Sequence, residues 1–177
     1  MVTGRIEIPG VDDLYAVNIH ASAFATDDTK QMHIIQFQDE LDRIDAGGGW
    51  FIAGGDLNTL PPGSDTTDYC IQDMCSYEEY HREGDDPMHK EGSNYTPEIH
   101  WLDTLYANYK CAIPLDVYKA NQFNHFTHTT RGDHFWDRTL DYLFTNYQWV
   151  NNTVVTHQDA TIESDHASVS VLFVLPN

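Results

Sequence analysis

FIAGGDLNTLPPGSD, residues 51–65, runs an apolar segment into a Gly-Gly step and then sets Asp56 and Asn58 two residues apart, ahead of a Pro-Pro-Gly turn. Trp50 to Ala53 reads as a short buried strand. Gly54-Gly55 lets the backbone turn sharply, and side chains two apart on extended backbone share a face. On this reading Asp56 and Asn58 aim their oxygens at one ion or one phosphate, and Pro61-Pro62-Gly63 stiffens the exit. The plainer reading is a capped turn, because Asp and Asn both favour loops.

The flanking sequence gives that stretch a frame. Leu14 to His20, LYAVNIH, reads as a strand whose mostly apolar run suits burial on both faces. Thr26-Asp27-Asp28 opens a helix with acidic residues at its positive end. Ile34, Phe37, Leu41 and Ile44 step by 3, 4 and 3 along one apolar stripe, and Gly47-Gly48-Gly49 closes the helix. Strand, helix, strand is an α/β unit. Residues 61–126 are rich in Asp, Glu, His, Tyr and Pro and read mainly as loops, with one helix near 97–109. Strands return at Arg138–Thr145, Asn151–His157 and Ala167–Leu175, the last of them placed centrally in a sheet.

Composition narrows the function classes. The 177 residues suit one domain spanning 1–177, with enough apolar content for a real core. A formal net charge of −19 disfavours broad, non-specific nucleic-acid binding. It does not exclude a phosphate substrate, because a bound cation reverses the local sign. No stretch approaches the roughly 20 apolar residues of a membrane span, and MVTGRIEIPG lacks the basic and apolar regions of a signal peptide. Cys70, Cys75 and Cys111 have no metal-finger spacing. Asn94-Tyr95-Thr96 and Asn151-Asn152-Thr153 match the glycosylation triplet, which leaves the compartment open.

Four predicted strands end or begin in groups capable of chemistry: Asn18-Ile19-His20, Asp56-Leu57-Asn58, Asp141 within Leu140-Asp141-Tyr142, and Ser164-Asp165-His166. Ligands gather where strand ends meet loops. Each has a structural alternative: His20 as a hydrogen-bonded histidine, Asp141 as an ion pair with Arg138, Asp165-His166 as a cap or strand entrance. A carboxylate inside an apolar strand costs several kcal/mol unless it is paired, so Asp141 needs a partner. The segment Asn124 to Arg138 concentrates histidines, two arginines and aromatics ahead of that strand. It reads as either a packed surface loop or a phosphate- or base-contacting loop over the pocket.

In order and context, these motifs resemble the endonuclease/exonuclease/phosphatase superfamily, which includes deoxyribonuclease I, abasic-site endonucleases, neutral sphingomyelinases and inositol polyphosphate 5-phosphatases. The resemblance covers roughly Leu14 to Leu175. It implies an α/β fold, part of a four-layer α/β sandwich of deoxyribonuclease I type, with two packed, mostly antiparallel sheets flanked by helices. It implies a divalent-metal-dependent phosphoesterase using Mg2+ (or Mn2+ or Ca2+) to cleave phosphodiesters in a nucleic acid, a phospholipid or a small molecule. The carried-over roles are a metal held by Asp165 with Asp56 and Asn58, water oriented or deprotonated by Asp56, and phosphate contact by Asn58 and His166. His20 stabilises developing charge or protonates the leaving group, and Asp141 orients one of the histidines.

The family's N-terminal Asn and metal-binding Glu have no counterpart here, and Glu7 lies outside the family's Glu context. The chain therefore reads as the C-terminal portion of such an enzyme, with severely reduced activity expected when it stands alone. The alternative is a non-catalytic half-domain or binding module that needs a partner chain, either a separate N-terminal half or a second copy.

Overall fold

The stripe Ile34, Phe37, Leu41 and Ile44 is buried along helix α1, Thr29–Ala46, in the computed structural model. The structure describes residues 1–23, 29–64, 100–129, 136, 138–159 and 164–176, so the expected helix opening at 26–28 lies outside it, as do Cys70, Cys75 and Asn94-Tyr95-Thr96. The helix ends as its glycines demand. Gly48 takes φ +78° and donates to Asp45 O at 2.9 Å, while Gly49 donates to Ile44 O at 3.0 Å. That paired pattern is the Schellman stop.

Strands β1 (Val2–Ile8), β2 (Val11–His20), β3 (Trp50–Asp56), β4 (Lys110–Cys111) and β5 (Asp141–Thr145) form one five-stranded sheet in the order β1-β2-β3-β5-β4. Only the β2–β3 pair is parallel, as the α1 crossover between them requires; the other pairs are antiparallel. Strands β6 (Val155–Thr156) and β7 (Val169–Ser170) make a second, small sheet. Two short helices, α2 (Asp103–Asn108) and α3 (Leu115–Ala120), flank β4. Val17, Ile19, Phe51, Ala53, Tyr142 and Phe144 pack with the α1 stripe and with Leu105 of α2 in one core. Each fully buried Leu or Phe contributes about 1.5–3 kcal/mol relative to exposure.

Several expectations are corrected. The strand ending at His20 is not buried on both faces: Val17 and Ile19 are buried, while Ala16, Asn18 and His20 are exposed on the opposite face. The apolar look of LYAVNIH came from Ala16, which covers little. Strand β1 was not foreseen, because its residues alternate on an exposed edge and no long apolar run marks it. The predicted strand 138–145 begins only at Asp141. Asn151-Asn152 is a turn, with Asn152 at φ +60°, so that strand is reduced to Val155–Thr156. The final strand is not central: it shortens to Val169–Ser170, with Leu172 61% and Leu175 48% exposed. Of the middle region, residues 65–99 lie outside the described residues, the start of the helix expected near 97–109 among them; the described part of that helix runs Asp103–Asn108, and α3 follows it unforeseen.

Candidate active site

The register places the chemistry in one row. His20 of β2 lies opposite Asp56 of β3, and Asp56 lies opposite Asp141 of β5. Because Val17, Ile19, Phe51, Ala53, Tyr142 and Phe144 face α1, period-2 alternation sends His20, Asp56 and Asp141 to the other face, at the tips of three adjacent strands.

Two glycines let β3 sit this close to its neighbours. A Cβ built on Gly54 would lie 1.8 Å from Tyr142 O, and one on Gly55, at φ +126°, would lie 2.1 Å from Ile19 O. The glycines therefore serve close strand approach rather than the sharp turn read from sequence. The turn comes one step later. Asn58 adopts φ +50° and donates its backbone N–H to Asp56 Oδ1 at 2.8 Å and its side-chain amide to Asp56 Oδ2 at 2.9 Å. Asp56 and Asn58 converge through this side-chain-closed turn, not through strand alternation. A second bond from Asn58 Nδ2 to Ala21 O, 3.0 Å, pins the turn to the end of β2. Below it, Ser64 N–H donates to Pro61 O at 3.1 Å with Gly63 at φ +74°, so Pro-Pro-Gly makes a tight turn as expected.

His166 closes the group from outside the sheet. Its Nδ1 lies 2.8 Å from Asp141 Oδ2, which answers Asp141's need for a partner, and its Nε2 lies 3.8 Å from Asp56 Oδ2. His20 Nε2 lies 3.4 Å from the same Asp56 oxygen, with the His20 side chain 76% exposed and that of Asp56 14% exposed. Burial pushes the Asp56 carboxyl above its usual range; the Asn58 N–H pulls it down, Asp141 raises it further, and the two histidines lower it. The Asp141 hydrogen bond holds His166 above the usual imidazole range against its own burial, with added support from the charges of Asp141, Asp56 and Asp165.

Five of the six sequence-predicted residues thus converge: His20, Asp56, Asn58, Asp141 and His166. Asp165 groups instead with His128 and His166, one ligand atom of each lying within 4.8 Å of the others. His128 was not singled out from the sequence, though it lies in the 124–138 segment suspected of covering the pocket. The described part of that segment is no loose loop. Thr127 Oγ1 accepts from Leu140 N and Asp141 N at 3.0 and 3.1 Å, which fixes the start of β5. The only local signal for this segment was Thr flanking His128 on both sides, a pattern suited to a short strand.

Asp56, Asp141 and His166 also offer ligand atoms within 4.8 Å of one another. Such an oxygen-rich, anionic donor set fits a hard divalent cation.

A search of curated proteins returns no match. The family model described as "Endonuclease/Exonuclease/phosphatase family" matches residues 3–166. That family comprises phosphoesterases and nucleases of α/β, deoxyribonuclease I-like fold, hydrolases that typically use divalent metals. With the match spanning both the sheet and the polar row at its strand tips, the chain belongs to the endonuclease/exonuclease/phosphatase family.

Proposed function

We propose that the chain is a divalent-cation-dependent phosphoesterase that cleaves phosphodiester bonds by in-line attack of water. The observation that carries this reading is the placement of His166 between two carboxylates, its Nδ1 hydrogen-bonded to Asp141 Oδ2 at 2.8 Å and its Nε2 at ion-pair distance, 3.8 Å, from Asp56 Oδ2. A carboxylate that orients a histidine against a second, half-buried carboxylate is a unit for moving one proton. Asp56 and Asp141, grouped with His166, supply carboxylate oxygens for a hard cation, Mg2+ or the similar Mn2+ or Ca2+. When bound there, such an ion neutralises the phosphoryl oxygens.

The chain's own groups do the rest. Asp56, its carboxyl raised by burial, accepts a proton from the attacking water or fixes its direction. Asn58 keeps Asp56 in one rotamer through two hydrogen bonds. His166, which the Asp141 hydrogen bond holds above the usual imidazole range, offers an N–H to a phosphoryl oxygen. His20, exposed beside Asp56, is placed to protonate the leaving oxygen. The absence of a dense basic stripe favours a small phosphodiester or a phospholipid headgroup over a long nucleic-acid backbone.

The test is hydrolysis of bis(p-nitrophenyl) phosphate by the purified chain with Mg2+. Turnover abolished by chelator and cut about 100-fold or more in Asp56→Asn and in His166→Ala is the expected result. Turnover that survives both substitutions unchanged would refute the assignment.

A further inference from the structure

His166 has a second set of neighbours. Thr127 and His128 both donate their backbone N–H groups to Arg138 O, at 2.7 and 3.0 Å. Two successive donors on one carbonyl mark a β-bulge, a device that re-aims a side chain and is common beside active sites. On its other edge the same segment pairs with residues 165–167. Thr129 N–H donates to Asp165 O at 3.0 Å, and Ala167 N–H donates to Thr127 O at 2.7 Å. His128 and His166 are therefore the non-hydrogen-bonded pair of an antiparallel bridge, where opposed side chains come closest. Their ring centroids are 4.7 Å apart and the planes are tilted by 74°, an edge-on approach. One nitrogen from each ring and one oxygen of Asp165 all lie within 4.8 Å of one another.

We propose that His128, Asp165 and His166 form a second cation site, of two imidazoles and one carboxylate, that takes Zn2+ in preference to Mg2+. Imidazole nitrogen suits Zn2+, whereas Mg2+ favours oxygen ligands and gives up its waters reluctantly. Three protein ligands also leave one position of a tetrahedral ion open. The surroundings match a metal-binding histidine: Asp141 holds His166 Nδ1 at 2.8 Å, which fixes the ring and leaves Nε2 to ligate. The backbone holds the donors in place before any ion arrives, through the bulge on one side and the bridge on the other. A cation on that nitrogen and a proton on it exclude each other. A filled site thus withdraws His166 from the proton-moving role of the phosphoesterase reading. The inference rests on that reading only through the shared His166 and requires no turnover.

The experiment is calorimetric titration of Zn2+ into the metal-stripped chain in millimolar Mg2+. One Zn2+ should bind, weakened about 100-fold or more in His128→Ala and His128→Gln, since outer-shell changes alone cost roughly 10–100-fold. Asp56→Asn should weaken Zn2+ binding less than either His128 variant, because Asp56 Oδ2 lies 3.8 Å from His166 Nε2 outside the proposed ligand set. Circular dichroism checks that the His128 variants fold. If they do not, proton NMR of the wild-type chain decides, with the ring signals of His128 and His166 moving on Zn2+ addition. Binding unchanged in both folded His128 variants, binding lost only in Asp56→Asn, or wild-type ring signals that stay fixed would each overturn the site.

Discussion

Replacing Gly54 with Ala tests the strand packing that brings Asp56 beside Asp141. The added methyl carbon would stand 1.8 Å from Tyr142 O, 2.8 Å from Tyr142 C and 3.1 Å from Leu143 Cα, all backbone atoms of β5. Real contacts of this kind do not fall below 3.0 Å, so β3 and β5 must part by more than 1 Å. No side chain can rotate away to relieve this, which puts the cost at the top of the overpacking range, about 3 kcal/mol or more. For a chain of this size that corresponds to a fall in Tm of about 6–12 °C. Gly4→Ala is the matched control: it lies in exposed β1 with nothing within 4 Å of the new carbon, and it should be neutral or stabilising by about 0.5 kcal/mol. Urea unfolding followed by circular dichroism measures both. A Gly54→Ala variant within about 0.5 kcal/mol of wild type would refute the β3–β5 register and the site built on it.

Three further outcomes are expected. Burial pushes the Cys111 thiol up to about 11, so Cys111 should resist iodoacetamide at pH near 8 in the native chain and react once urea unfolds it, as read by peptide mass spectrometry. Native labelling of Cys111 would contradict its place in the core. Asp141→Asn should lower the His166 pKa in chelator-treated protein, measured by NMR titration of ring protons. Because the fold raises that pKa, the pair stabilises the native state fully below the ordinary imidazole value near 6.5 and loses that contribution as pH rises through the folded value. The Asn variant should therefore lose this part of the pH dependence of stability, and a His166 titration unmoved by the substitution would count against the pair. Tyr142→Phe removes a buried hydroxyl that donates to Thr59 O at 2.6 Å and contacts Thr139 O at 3.0 Å, and should cost about 1–3 kcal/mol in urea unfolding. No loss there would mean that this bond does not hold the Asp56 loop to β5.

Much of the fold was legible because burial leaves a periodic trace. The α1 stripe and its glycine stop could be read directly, and so could the strand through Phe51, since each buries a continuous apolar set. Strands that lie on an edge leave no such trace: β1 is mostly exposed, and the apolar run 171–175 keeps Leu172 and Leu175 in solvent. The polar row was legible at His20, Asp56 and Asp141 because strand ends in an α/β unit point to a common rim. How Asp56 and Asn58 meet was not, since that depends on a left-handed backbone at Asn58 rather than on spacing. His128 was hidden for a similar reason. A bulge is set by which carbonyl two amides share, and no residue pattern announces it.

On the proposed phosphoesterase reading, residues 56 and 166, more than a hundred positions apart, act on one phosphoester as a unit. A double-mutant cycle in kcat/KM for bis(p-nitrophenyl) phosphate hydrolysis measures this directly, using Asp56→Asn, His166→Ala and the pair together. Strong non-additivity is expected, with the double variant little worse than the weaker single one. Losses that multiply independently, or single variants with full activity, would contradict it.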